Sequence, residues 1–166
     1  MLLEVFERSR ELTSRLLPLV RADDTPREIV EKARGVLNTF TERELIATLD
    51  AHPRIGHDVR AISDLSAREQ GTDQDPDTLA QLTRLNDEYE RRFGFRFVVF
   101  VKGRSKAEIV PVLRERIRGT RESEMRTGIE EFLAISLDRL MRSMEQDRVQ
   151  RSTDDDSIRR AMDVDS

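Results

Sequence analysis

The side chains best suited to moving a proton near neutral pH are few in this chain, because His52 and His57 are its only histidines. Imidazole is the group whose ordinary pKa lies nearest physiological pH. Both rings fall in one short stretch, Ala51-His52-Pro53-Arg54-Ile55-Gly56-His57-Asp58. Two histidines with an aspartate beside them invite a metal reading. Pro53 and Gly56, however, break the helix that would aim both imidazoles one way, and the glutamate of a zinc-protease motif is missing. No metal site is expected. His52 also has a purely structural reading, as a ring closing a helix C-terminus where its protonated form meets the negative end of the dipole.

Ser66-Ala67-Arg68-Glu69-Gln70 is the second stretch with chemistry in it. As a capping box, Ser66 and Glu69 would do no more than satisfy the first amides of a helix. Placed in a pocket with His52, Glu69 would complete an acid–base pair and Gln70 would supply an amide able to donate and accept toward a polar ligand. Spacing alone leaves both readings open.

The elements that must position these residues are helices. Thr25-Pro26-Arg27-Glu28 joins a cap to a proline at the first helical position and leads into Ile29, Val30, Ala33, Val36 and Leu37, so a helix should run to about Asn38. Thr41-Glu42-Arg43-Glu44 opens another, carrying Leu45, Ile46 and Leu49, which stops near His52 because Pro53 disfavours helical geometry in the residue before it. From Pro53 to Pro76 the chain is polar and loses its period, which predicts loops and a short helix around Ser66 to Gln70. Leu79, Leu82, Leu85, Tyr89 and Phe93 then trace one face of a long helix that Gly94 is placed to end.

Phe95 to Val101 is dense in aromatic and β-branched residues and bounded by glycine, so it should be extended and covered by helices. Ser105-Lys106-Ala107-Glu108 caps a helix through Ile109, Leu113 and Ile117, with a kink expected at Pro111. A final helix is expected from Arg121 to about Met144, and the N-terminal stretch from Val5 to Val20 reads as one amphipathic helix. The expectation is an all-α, single-domain helical bundle over residues 1–144 with one short extended segment near 95–101. Residues 145–166 read as a polar tail, frayed or disordered.

Composition agrees with this picture. Hydrophobic and charged residues each make up 37% of the 166-residue chain, the balance of long amphipathic helices with solvated outer faces. A formal net charge of −4 would repel a phosphate backbone, so nucleic acid is not an expected partner. Absence of cysteine removes disulfides, thiolate nucleophiles and thiolate metal sites together. Charges in the first residues and the lack of a long apolar run point away from secretion and from membrane, and the missing Ser-Lys-Leu ending points away from peroxisomes; a cytoplasmic protein is expected.

The order of several motifs resembles the OHCU decarboxylase family, which acts on 2-oxo-4-hydroxy-4-carboxy-5-ureidoimidazoline, a breakdown product of uric acid. The matching words are Ala51-His52-Pro53-Arg54-Ile55-Gly56, Ser66-Ala67-Arg68-Glu69-Gln70, Leu85-Asn86-Asp87-Glu88-Tyr89 and Arg92-Phe93-Gly94-Phe95-Arg96-Phe97-Val98. The likeness continues through Gly103-Arg104-Ser105, Ile109, the region 114–118 and residues 124–140, about two-thirds of the chain. It implies a cofactor-free enzyme of all-α fold, usually a homodimer, that yields allantoin from a small ureidoimidazoline. It also implies His52 and Glu69 as the catalytic pair, Pro53, Ser66 and Gln70 along the pocket, and backbone groups of Phe97, Val98, Val99, Phe100 and Val101 on the ureido or ring amides. Arg139 is the match for an arginine that contacts the ligand from the last long helix.

Three features depart from the family. Arg96 stands where proline is common, the N-terminal part lacks the usual tryptophan-containing segment, and the stretch between His52 and Glu69 is short. Two other readings therefore stay in view: an enzyme of the same fold acting on a different ureide or small acid, and a helical binding module in which His52 and Glu69 are only caps.

Overall fold

In the computed structural model, residues 2–56 and 75–163 are described, with side chains through Gln150. Four of the helices begin where the sequence places a side-chain partner for their first amides. Thr25, Thr41 and Ser105 all form complete capping boxes, each hydroxyl accepting from the N–H three residues on while Glu28, Glu44 or Glu108 reaches back to the cap. They open α3 (Pro26–Leu37), α4 (Glu42–Asp50) and α6 (Lys106–Ile117). Asp75 caps α5 (Pro76–Phe93) through the Thr78 N–H, and Gly94 ends it in the left-handed conformation at φ 80° that only glycine adopts without strain.

The capping box of α4 bears on the site, because that helix carries His52 at its end. Thr41→Ala removes the hydroxyl that the Glu44 N–H uses, and should lower stability by about 1 kcal/mol, read as a fall in urea midpoint at unchanged slope.

The N-terminal stretch is not the single helix expected from its periodicity. It divides into α1 (Leu2–Val5), α2 (Arg10–Leu16) and a 3-10 turn at Leu17–Leu19. Between α1 and α2 the backbone turns left-handed at Glu7 (φ 47°) and Arg8 (φ 60°), a conformation costing on the order of 1–3 kcal/mol for residues other than glycine. The turn lets Phe6 and Leu12 both reach the core while carrying the Glu7 carboxylate inward as well.

α6 runs through Pro111 without ending. Pro111 and Ala107, whose carbonyl loses its helical partner to the proline, both lie on the exposed side, so water can take that bond. The last helix, α7 (Arg121–Asp163), extends well past the expected end near Met144. Its core-facing stripe stops at Leu140, and nearly every residue from Met141 to Gln150 is exposed. That part of α7 thus holds together by its own backbone bonds rather than by burial.

α5 packs on α6, and α3 and α4 pack on α7, with α1 and α2 closing the remaining side. Phe6, Leu12, Leu16, Leu49, Leu82, Tyr89, Phe132 and Leu140 form the middle of one continuous core. Residues 95–101 lie between α5 and α6 with neither helix nor ladder pairing, and Phe95, Phe97, Val98 and Val101 are buried beneath the helices. Among the described residues no strand occurs and no helix is long and apolar enough to cross a membrane.

Candidate active site

His52 lies two residues beyond the last residue of α4, its N–H bonded to the Leu49 carbonyl at 3.1 Å. Three contacts fix the turn that follows. The Arg54 guanidinium grips Glu90 of α5 through two bonds of 2.8 and 2.6 Å and reaches Asp87 at 2.8 Å. Asn86 Nδ2 donates to the Ile55 carbonyl at 3.2 Å. Gly56 closes the turn at φ 81°, where an added Cβ would come within 3.1 Å of the Leu82 side chain. The sequence words around His52 and around Asn86 are therefore two halves of one joint.

Arg96 fastens the same turn from the 95–101 segment. Its backbone N–H donates to Asp50 Oδ1 at 2.9 Å, and its guanidinium to the carbonyls of Asp50 and His52 at 2.7 Å each. Where the family commonly has proline, this chain thus uses an N–H that proline lacks.

The imidazole itself is 6% exposed and meets the Phe132 ring edge-on, centroids 5.2 Å apart. Among the described residues neither ring nitrogen has a hydrogen-bond partner; the Thr48 backbone favours the protonated ring but falls short of a bond. Unpaired polar atoms in an interior cost about 1–3 kcal/mol each and are uncommon in folded proteins.

Burial pushes the His52 pKa down from 6.5 to about 4; the Glu7 carboxylate opposes that fall, while Arg139 and Arg96 deepen it. The ring is neutral at pH 7. Between pH 6.5 and 4 the unfolded chain binds a proton here that the folded chain refuses, so stability must decline as pH falls through that window. A shift of this size corresponds to roughly 3 kcal/mol, complete by about pH 4 and absent above pH 6.5. Across that window the wild type should lose about 3 kcal/mol of stability that a His52→Gln variant, lacking the titrating ring, keeps, read as denaturation midpoints against pH.

Arg139, 3% exposed, approaches from α7. Its Nη1 donates to Glu7 Oε2 at 2.6 Å and to the carbonyls of Glu4 and Val5 at 3.3 and 3.2 Å. The charges of Arg139 and Glu7 both act on the His52 ring, which packs against Phe132. Pro53 follows His52 and is partly buried. Ser66, Glu69 and Gln70, like His57 and Asp58, lie outside the described residues.

In the 97–101 stretch several backbone groups already have partners. The Val98 carbonyl accepts from Arg116 at 2.7 Å, the Phe100 N–H donates to Glu131 at 2.5 Å, and Arg104 takes the carbonyls of Phe100 and Val101 at 2.6 and 3.0 Å. A ligand reading this segment would use the amides of Phe97, Val98, Val99 or Val101, not those carbonyls.

Sequence reasoning did not single out Glu7 or Phe132. Phe132 carried only the signal of a core helix residue, and Glu7 read as the polar side of an unbroken helix. A separate cleft of about 630 Å³, walled by Phe40, Leu45, Arg121, Met125 and Ile129, shares no residue with this site. No cluster of His, Cys, Asp and Glu suited to a metal ion occurs among the described residues.

Among the described residues, the helical bundle thus holds a buried imidazole without a hydrogen-bond partner, on which the charge of the buried Arg139 acts. The family model for OHCU decarboxylase matches residues 1–141, and the chain belongs to that family. It is 33% identical over 118 residues to the mouse 2-oxo-4-hydroxy-4-carboxy-5-ureidoimidazoline decarboxylase, covering 60% of this chain and 66% of that one. It is 30% identical over 140 residues to the uric acid degradation bifunctional protein of Bacillus sp. (strain TB-90), covering 82% of this chain. The chain spans only 28% of the length of that bifunctional relative. A crystal structure of OHCU decarboxylase in the presence of (S)-allantoin shares the fold at TM-score 0.70 and 23% identity, over 86% of this chain and 96% of that one.

Proposed function

We propose that this chain is a carboxy-lyase that converts 2-oxo-4-hydroxy-4-carboxy-5-ureidoimidazoline to (S)-allantoin in urate breakdown, without a cofactor. The observation that carries the reading is the buried His52 ring, unpartnered among the described residues and acted on by the charge of Arg139, in a chain of this family.

Loss of carbon dioxide leaves the electron pair of the broken C–C bond on a ring carbon, so the substrate must itself delocalise that charge when no cofactor takes it up. The carbonyl and imine of the imidazoline can do so. A His52 that is neutral at pH 7 suits the role of base, accepting from the substrate hydroxyl as the carboxylate departs. Glu69, by its place in the family motif, then delivers a proton to one face of the ring. Arg139 orients the carboxylate, with Pro53, Ser66, Gln70 and the amides of residues 97–101 around the ureido group. We further propose a cytoplasmic homodimer, a state that light scattering at micromolar concentration would check.

The test is to generate the unstable substrate in situ from urate and follow optically active allantoin by circular dichroism. Strong acceleration by the protein supports the reading. No acceleration by well-folded protein moves it to a different ureide or small acid, which product analysis over several ureides would identify.

A further inference from the structure

We propose that Arg96 is a positioning residue for His52: its guanidinium takes carbonyls at the end of α4 that would otherwise draw a protonated imidazole, and so leaves the ring to act as a base. The inference rests on the reading of His52 as the base of a decarboxylase and concerns a residue to which that reading gives no part.

The last carbonyls of a helix have no partner within it and carry the negative end of its dipole. A histidine placed there is ordinarily drawn into its protonated form, the structural role that the position of His52 suggests. In this fold another cation stands at that end. Arg96 Nη1 donates to the carbonyls of Asp50 and His52 at 2.7 Å each, and the Arg96 backbone N–H donates to Asp50 Oδ1 at 2.9 Å. Within His52 the division is plain. Its N–H is bonded to the Leu49 carbonyl and its own carbonyl to Arg96, while neither ring nitrogen has a hydrogen-bond partner among the described residues. The main chain is held on both sides of the ring, and the ring is left over.

Charge works in the same direction. Among the described residues, Arg96 from the 95–101 segment and Arg139 from α7 disfavour a proton on the ring, and Glu7 from the turn between α1 and α2 favours one. Asp50 of α4 accepts from the Arg96 N–H, and Phe132 of α7 brings no charge. A guanidinium fixed at the His52 carbonyl resists a second positive charge on the same residue. Proline at position 96, common in the family, would offer neither the N–H nor the guanidinium, so this arrangement depends on the residue that sets the chain apart.

The chain has two histidines, so the imidazole signals of histidine-labelled protein can be assigned by NMR with a His57→Gln variant. Arg96→Met removes the guanidinium and keeps the stem. It should raise the pH at which His52 titrates by about half a unit. The acid limb of kcat/KM for allantoin formation should move up with it, and kcat/KM at pH 7 should fall roughly tenfold as the ring loses its fixed direction. Arg96→Lys, which keeps a cation at the helix end, should titrate like the wild type. Arg96→Gln, which keeps a donor for the carbonyls without the charge, should titrate like Arg96→Met. Thermal melts accompany each variant, and where Arg96→Met does not fold, Arg96→Gln and Arg96→Lys carry the comparison.

A folded Arg96→Met or Arg96→Gln in which His52 titrates with the wild type overturns the proposal, whatever the loss of rate, and leaves Arg96 a fastener of the 95–101 segment. Arg96→Lys titrating with the neutral variants overturns it too, since a cation at the helix end would then be without effect. The titration needs no substrate. If the wild-type protein does not accelerate allantoin formation, the decarboxylase reading fails, and the titration of His52 in these variants alone decides the role of Arg96.

Discussion

His52→Gln should reduce kcat for allantoin formation by about 10²–10⁴, the usual yield of a well-placed proton-transfer group. Glutamine fills much of the same volume and brings an amide, so loss of packing against Phe132 is limited. It cannot accept and then return a proton at neutral pH. The measurement is the initial rate of optically active allantoin formation above the spontaneous background, with far-ultraviolet circular dichroism to show the helices intact. A residual rate within threefold of wild type would mean that His52 closes α4 and that the groups carrying the reaction lie elsewhere. The low pKa of this ring adds a second check. The wild-type kcat/KM should stay level as pH falls from 7 and drop only toward about pH 4, because a base must be unprotonated to work.

Glu124→Ala should be among the most destabilising single changes in the molecule. Glu124 is 5% exposed and accepts from the Tyr89 hydroxyl at 2.8 Å and from Arg116 Nε at 2.7 Å on the same oxygen, Oε2. Arg116 in turn lies over the Phe97 ring, 4.8 Å from its centroid, and donates to the Val98 carbonyl. One carboxylate thus ties α5, α6, α7 and the 95–101 segment together. Removing it leaves a guanidinium and a phenol in the interior without their acceptor, a loss of roughly 3–5 kcal/mol for the broken ion pair. Burial already holds the Tyr89 phenol far above its usual pKa, so it is a donor over the whole accessible range and cannot relieve the defect by ionising. Equilibrium urea unfolding would read this directly. A loss under 1 kcal/mol would show that the pair is solvated in solution and that 95–101 is held by its apolar contacts instead.

Most of the helical frame could be read from the residues because its signals are local. Thr25, Thr41 and Ser105 sit three residues before a glutamate, Gly94 follows the last apolar residue of its stripe, and Pro53 stops α4 just short of His52. Each depends on bonds within a few residues. The break at Glu7 and Arg8 is different in kind, since no glycine, proline or asparagine marks it. It forms because a residue far along the chain, Arg139, accepts what the turn delivers. The length of α7 was hidden for a related reason. The apolar stripe runs out near Met144, but a charged helix needs no core to keep its backbone bonded. Within the site, family resemblance picked out His52 and Arg139, while the side chains that hold them, Arg96, Asn86 and Glu7, act across long separations that periodicity does not record.

The Glu7–Arg139 pair joins residues 132 positions apart. During synthesis, at about 5–20 residues per second, α1 and the left-handed turn leave the ribosome well before the segment bearing Arg139 exists. Until then an acidic side chain destined for the interior stays in water, and the strained turn has nothing to hold it. The site is consequently one of the last things this chain can make. Helices α3 to α6 can form as their residues emerge, but no nascent fragment lacking Arg139 can hold the finished constellation around His52.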